Sequence, residues 1–420
     1  MSASLARLHR EAYDELTGHI LPYWLDRTID ETHGGFIGRI TGEDRIIPDA
    51  PKGAVLNARL LWTFASAARV LDDESYLPVA FRAYQYLRDH FADPEHGGVY
   101  WLLDHTGQPL DSRKQTYAQA FVIYGLAELY RLHPHPQALA WAKELYDAIE
   151  TNVSDAKHGG YVEARGRDWT PISDIRLSEK DENTPKSMNT HLHVLEGYAN
   201  LYRIWPDAHL RERLRDLIEL FLDRIVAQGR PNLLEFFSCD WTPTSDVVSF
   251  GHDIEASWLV LEAAEVLGDP PLIRRVQACA LDLAEATLKH GIDTDGGMFN
   301  AALGGHVYDT DKHWWPQAEA VVGFLNAFQI SDDPTYLNAA LRSWAFIQNW
   351  IIDAEGGEWH FRVSWDRVPY REEDKVGPWK CPYHNARACL EVLERVRGLV
   401  DPSELASAVV RTPSFPVPPT

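Results

Sequence analysis

Long apolar runs alternate with more polar ones along the chain, both at helical spacing. The apolar set comprises AVLNARLLWTFASAARV from Ala54, QTYAQAFVIYGLAELYR from Gln115, MNTHLHVLEGYANLYRI from Met188, FGHDIEASWLVLEAAEVL from Phe250, KHWWPQAEAVVGFLNAF from Lys312 and CPYHNARACLEVLERV from Cys381. Runs this apolar predict helices enclosed by protein. Between them lie amphipathic runs: SLARLHREAYDELTGHI from Ser4, ESYLPVAFRAYQYLRDHF from Glu74, PQALAWAKELYDAIE from Pro136, DAHLRERLRDLIELFLDRIV from Asp207, and two more starting near Pro271 and Pro334. Six enclosed helices alternating with six partners that face water predict an all-α fold, a closed (α/α)6 barrel.

A repeated turn punctuates the helices. Asp, two residues, His-Gly-Gly and an aromatic or Val recur as DETHGGF at 30, DPEHGGV at 93 and DAKHGGY at 155. Gly-Gly returns without His in DTDGGMF at 293 and DAEGGEW at 353, and a degenerate copy fits near AQGRPNLLEFF at 227. A period near 60 residues holds two helices and a short connecting β-hairpin. The glycines supply the positive φ of a tight hairpin, and repetition of His33, His96 and His158 argues for scaffold over chemistry. No domain boundary is needed: residues 1–400 are expected to be one catalytic domain, followed by a proline-rich, frayed tail over 401–420. Two long polar loops, Glu163 to Ser187 and Phe361 to Tyr383, are candidate site loops.

Composition narrows the partners. With 40 basic against 62 acidic residues the net charge is -22, so nucleic acid and anionic membrane are repelled. The N-terminus carries charges throughout, unlike a signal peptide, and no run is long and apolar enough to span a bilayer. Four cysteines without a C-x-x-C pair read as reduced thiols of a cytoplasmic protein. The chain is expected to act as a monomer or weak homodimer, without cofactor or metal.

The N-terminal turns of the six enclosed helices should converge on one mouth, and they are unusually polar. They hold Asn57 and Arg59, Tyr117 and Gln119, Asn189, His191 and His193, His252 and Glu255, Trp314 and Trp315, and His384, Asn385 and Arg387. A lone histidine on an apolar helix is ordinarily a hydrogen-bonded core residue; histidine at the same place on three helices points to chemistry. His252 and Glu255, three apart, share a helix face, although an ordinary polar pair reads the same. His191 and His193 cannot both point inward, and spacing does not say which does. A helix N-terminus biases histidine towards its neutral form, ready to act as a base. Three histidines with Glu255 would also suit zinc, but no H-E-x-x-H pair is present. Trp314, Trp315 and Trp379 suit either a core or stacking on sugar rings. No phosphate loop, dinucleotide fingerprint or Gly-x-Ser-x-Gly elbow occurs.

At these residues the chain resembles the cellobiose 2-epimerases of the N-acylglucosamine 2-epimerase superfamily, which have (α/α)6 barrels. The resemblance runs from about Leu5 to Arg397 through LNARLLWTF, GGVYW, SMNTHLHVLEGYANLYR, SFGHDIEASWL, DTDKHWWPQAEA and WKCPYHNARACLE. The segment SFGHDIEASW separates it from members acting on monosaccharides; Lys380-Cys381 and variation in the His-Gly-Gly loops are minor departures. The resemblance implies that His252 and His384 are the general acid/base pair and that His193 is the inward histidine, assisting ring opening. It implies that Arg59 stabilises an enediolate, that Glu255 supports His252, and that Tyr117, Asn189, Trp315, Trp379 and Asp181 bind substrate.

The implied reaction interconverts glucose and mannose at the reducing end of β-1,4-linked disaccharides and oligosaccharides, cellobiose and lactose first, by C2 deprotonation and reprotonation. Minor aldose-ketose isomerisation would follow from reprotonation at C1. Within the superfamily the alternatives are N-acylglucosamine 2-epimerase and mannose isomerase. From other classes come an inverting (α/α)6 glycoside hydrolase using Glu255 and Glu319, and a non-catalytic sugar-binding protein.

Overall fold

The computed structural model describes residues 1–401 and 405; apart from Asp401 and Leu405, the expected tail lies outside the described residues. In chain order the helices are α1 (Ser2–Glu15), α2 (Leu21–Arg27), α3 (Ala54–Leu71), α4 (Leu77–Tyr86), α5 (Thr116–Leu132), α6 (Pro136–Asn152) and α7 (Met188–Ile204). There follow α8 (Ala208–Leu220), α9 (Phe250–Leu267), α10 (Pro270–His290), α11 (Trp314–Ser331), α12 (Pro334–Phe346) and α13 (Tyr383–Arg397). No helix among the described residues is long and apolar enough to cross a membrane.

The six apolar runs became α3, α5, α7, α9, α11 and α13. Each packs on the next, and α13 packs back on α3, so they form a closed ring. The amphipathic helices α4, α6, α8, α10 and α12 each pack on the ring helix before them, and α1 packs on α13. Enclosure from all sides explains why every residue of α3 from Ala54 to Ala68 is buried, including Asn57, Arg59 and Thr63. Ring helices approach closely where glycine interrupts them: a Cβ on Gly197 would lie 2.7 Å from the carbonyl oxygen of Ala120 on α5. Four outer segments contain a π-helical turn, at the end of three and between α1 and α2 in the first, whose first and last residues, such as Leu87 and Phe91 or Phe221 and Ile225, are buried.

All six glycine turns are present, the degenerate fourth included. Each is closed by an antiparallel bridge: Ile29 to Phe36, Ala92 to Val99, Ser154 to Tyr161, Val226 to Leu233, Ile292 to Met298 and Ile352 to Trp359. Gly34, Gly97 and Gly159 hold φ between 70° and 76°, which glycine alone adopts without cost. The histidines of the His-Gly-Gly motif donate only their backbone N–H to the turn aspartate, as His33 does to Asp30 at 2.9 Å, in keeping with the scaffold expectation.

A second repeated element went unnoticed in the sequence. The turn aspartates are paired with buried lysines standing just before a ring helix or, in the last turn, in the long loop preceding α13: Lys52 with Asp30 at 2.7 Å, Lys114 with Asp93 at 2.9 Å, and Lys186 with Asp155, Lys312 with Asp293 and Lys375 with Asp353, each at 2.8 Å. The fourth turn has neither partner. Two-residue strands before the ring helices pair with the strand after the next turn, as Lys114–Gln115 does with Ala164–Arg165 and Lys186–Ser187 with Phe236–Phe237. These ladders tie the N-terminal ends of the ring helices together at one end of the molecule, and there the polar residues collect.

Candidate active site

Two neighbouring histidines of α7 have different tasks. His191 is fully buried; its Nε2 accepts the N–H of Tyr161 at 2.8 Å, and its Nδ1 bonds the carbonyl of Ser187 at 2.7 Å. It is a structural residue that fastens the third turn. His193 instead faces the ring interior, with its Nδ1 2.9 Å from Glu196 Oε2 and its ring 5.0 Å from that of Tyr117 and 4.7 Å from Phe121. Gln119 and Gln317 occupy the turn-fastening role on α5 and α11, bonding Val99 and Met298 through both amide atoms.

Arg59 is 2% exposed and lies between Phe121 and Tyr383, its guanidinium carbon 4.3 and 4.5 Å from their ring centres. It donates to the Tyr117 hydroxyl at 2.8 Å, while its Nε has no partner. Tyr117 also meets Trp379 of the second long loop, ring centres 5.9 Å apart. Trp379 stays half-buried at the rim, also against Trp101. Trp315 is likewise half-buried and touches two histidines, with ring centres 4.8 Å from His252 and 5.5 Å from His384. Trp314, by contrast, is a core residue packed on Phe361.

His384 Nδ1 bonds Glu319 Oε1 at 2.7 Å. Burial, with Arg59 and Arg387 nearby, holds its pKa well below the ordinary histidine value. Burial likewise lowers His193, against the pull of Glu196. His252 behaves oppositely. Burial disfavours its charge, but Glu235, 3.2 Å from Nδ1, with Glu255 and Asp253 behind it, lifts the pKa to about 9. His193 and His384 are thus biased towards the neutral form by burial, whereas His252 goes the other way, against the helix-terminus expectation, because a carboxylate at contact outweighs burial and the partial charge of a helix end.

Glu255 supports His252 by its charge alone. It does not pair with His252; its Oε1 accepts from Arg387 at 2.5 Å and lies 3.9 Å from His384 Nδ1. The i,i+3 spacing places it one turn deeper, where Arg387 gathers Glu196, Glu255 and Glu319 on one guanidinium. Glu255, Glu319 and His384 come close enough to suggest a metal cluster. Arg387 already occupies Glu255 Oε1 and Glu319 Oε1, and a fixed guanidinium charge there opposes a second cation.

A narrow cleft opens beside His252. Asp181 from the first long loop lines it with Asn189, Glu163 and Glu235. The Oδ1 of Asn189 is buried without a partner there, a polar atom still open to a ligand. The sequence reading thus named residues that the fold brings together. It missed Glu196 and Glu235, and Tyr383, whose hydroxyl donates to Glu196 at 2.5 Å. Glu235 sits in the degenerate turn, where no repeat signal marked it.

A ring of paired helices with a polar centre is the frame of a sugar-epimerase family here: the chain belongs to the N-acylglucosamine 2-epimerase (GlcNAc 2-epimerase) family, whose model matches residues 35–388. Among its relatives, the cellobiose 2-epimerase of Bacteroides fragilis is 48% identical over 388 residues, covering 92% of this chain and 98% of that protein. The D-mannose isomerase of Marinomonas mediterranea is 25% identical over 91% of this chain and 96% of its own length. The solved cellobiose 2-epimerase of Bacillus thermoamylovorans superposes with a TM-score of 0.88 at 41% identity, covering 92% of this chain and 99% of that one.

Proposed function

We propose that this chain is a cellobiose 2-epimerase, interconverting D-glucose and D-mannose at the reducing end of β-1,4-linked disaccharides and oligosaccharides, on an (α/α)6 barrel formed by residues 1–400 as one catalytic domain. The observation that carries the reading is the pair of histidines against one ring, Trp315, each with its own carboxylate, Glu235 at His252 and Glu319 at His384; these surroundings favour the charged form of His252 and the neutral form of His384. Environments that push two like groups apart assign an acid and a base.

The chemistry follows from the residues. Half-buried Trp315 and Trp379 offer faces for the apolar sides of two sugar rings. Ring opening exposes the C1 aldehyde, which His193 assists, with Tyr117 and Asn189 as further hydrogen-bonding groups. Arg59 supplies a desolvated positive charge for the C1 oxygen as negative charge develops on it. His384, with Nδ1 held by Glu319, removes the C2 proton through Nε2. His252 delivers a proton to the opposite face, giving the epimer. The two imidazoles exchange roles for the reverse epimer, and return to C1 instead of C2 makes a ketose in small yield.

Glu255 and Glu319 do not suit an inverting hydrolase, because one guanidinium holds both carboxylates instead of leaving a water between them. Identity also favours disaccharide over monosaccharide substrates, 48% against 25%. Free thiols at Cys239, Cys279, Cys381 and Cys389 fit a cytoplasmic protein, and we take it to act as a monomer or weak homodimer. The test is turnover of cellobiose, lactose, mannose and N-acetylglucosamine in heavy water, followed by NMR. Cellobiose and lactose should be preferred, with solvent deuterium at C2 of the product, and His252→Asn or His384→Asn should each lower the rate by about 10²-fold or more. Preference for a monosaccharide, release of free glucose, or product without deuterium at C2 overturns the reading.

A further inference from the structure

The fourth turn, AQGRPNLLEFF, lacks both the aspartate and the lysine that fasten the other five. What it carries instead is Glu235. Two residues beyond the bridged position in four of the six turns, the backbone carbonyl accepts the first N–H of a ring helix: Trp101 from Ala54, Glu163 from Thr116, Glu235 from Met188 at 2.8 Å and Phe361 from Trp314. Glu163 and Glu235 thus occupy the same register position in consecutive turns, yet their side chains differ in use. Glu163 is spent on the start of α7, accepting from Ser187 N at 2.7 Å and Thr190 Oγ1 at 2.6 Å. Glu235 leaves α7 to its backbone and reaches across to α9, its Oε2 3.2 Å from His252 Nδ1.

That contact has no competitor. The 3.2 Å approach is an ion-pair contact: His252 Nδ1 and Glu235 Oε1 are both buried without a hydrogen-bond partner, so nothing else claims either atom. Glu235 is 6% exposed, so its carboxylate is poorly screened by water. We infer, on the epimerase reading above, that Glu235 is the positioning residue for His252: it holds the imidazole by Nδ1, presents Nε2 to the substrate, and keeps the ring charged so that it enters the reaction as the proton donor.

The other groups facing His252 do not replace it. Asp181 from the first long loop takes Ser178 N at 2.9 Å. Asp253 and Glu255 share α9 with His252, but Asp253 holds Asn232 and Leu233 N, and Glu255 holds Arg387. From α11 comes the Trp315 ring, without a charge, and from α13 comes His384, which is neutral. Losing Glu235 therefore removes the nearest counter-charge from a ring whose burial favours the neutral form.

The test is Glu235→Gln, which keeps the backbone bond to Met188 and nearly the same volume while deleting the charge. In 15N-histidine-labelled enzyme, with the His252 resonances identified by their absence in His252→Asn, the wild-type ring should titrate near pH 9. In Glu235→Gln the midpoint should fall by about one pH unit or more. The alkaline limb of kcat/KM for cellobiose should move down with it, with kcat lowered about tenfold and KM little changed. Glu235→Asp should restore part of the shift. A merely structural role would lower the active fraction and leave the titration and the limb in place. An unchanged His252 midpoint in Glu235→Gln, or a wild-type ring titrating near 6.5, overturns the inference. Absence of epimerisation by the wild type would instead strike the proposed function, and the titration would still decide the role of Glu235.

Discussion

Arg387→Met is the substitution for which the structure makes the largest claim. The guanidinium is 1% exposed and lies over Tyr383 and Trp258, its carbon 4.1 and 4.7 Å from their ring centres. It donates to Glu196 at 2.6 Å, Glu255 at 2.5 Å and Glu319 at 2.7 Å. Methionine fills much of the volume but leaves buried carboxylates without their cation. Breaking a buried ion pair from one side typically costs about 3–5 kcal/mol. Three carboxylates do not triple that figure, because a carboxyl can escape by taking a proton. Glu319, already pushed up to about 8 by burial and by Glu255 against the pull of Arg387, escapes first. Glu196 cannot do so without loss: burial opposes its charge, yet Arg387 and His193 bring its pKa down to about 2.

The sign of the pH dependence follows. In the wild type a depressed carboxylate adds stability that is fully present above its unfolded value near 4.5 and is lost as pH falls towards 2. In Arg387→Met the folded pKa of Glu196 rises above the unfolded one, so the penalty grows with pH. Urea unfolding should show a loss of about 4 kcal/mol at pH 8 and a clearly smaller one at pH 5.5, and the melting temperature should drop by ~5 °C for a chain of this length. Arg387→Lys, which keeps the charge without the fork, should fall between. A loss below about 1 kcal/mol at pH 8, or one equal at both pH values, would refute the claim that this single cation neutralises the floor of the site.

Two further outcomes follow from the same structure. The rate on cellobiose should be nearly level across the neutral range. His384, depressed well below 6.5, becomes charged only in acid, and His252 loses its proton as pH rises through about 9; an alkaline midpoint below 8 in kcat/KM would contradict this assignment. Gly197→Ala places a Cβ 2.7 Å from the Ala120 carbonyl oxygen and must push α7 from α5, lowering stability by about 1–3 kcal/mol in thermal unfolding, whereas an unchanged melting temperature would show that the ring gives way freely.

Period and polarity by themselves determined the helices of this protein. Apolar runs of 16 to 18 residues became ring helices that begin within two positions of where they were expected, because a helix enclosed on all sides must be apolar on all sides. The glycine turns were equally plain, since positive φ at Gly34, Gly97 and Gly159 restricts the residue type locally. Polar residues in the first turns of apolar helices marked Arg59, His193, His252 and His384, because an isolated polar group is costly there and needs a reason. What those residues do to one another was not legible. His191 and His193 look alike in sequence, and the backbone of Tyr161, 30 residues away, engages only the first. Glu255 looked like the partner of His252 until folding brought Glu235 to Nδ1 and Arg387 to Glu255. The turn lysines, 19 to 31 residues from their aspartates, carry no pattern of their own. Charge states at a buried site depend on which groups from distant segments lie within a few ångströms, and the tertiary structure alone sets that distance.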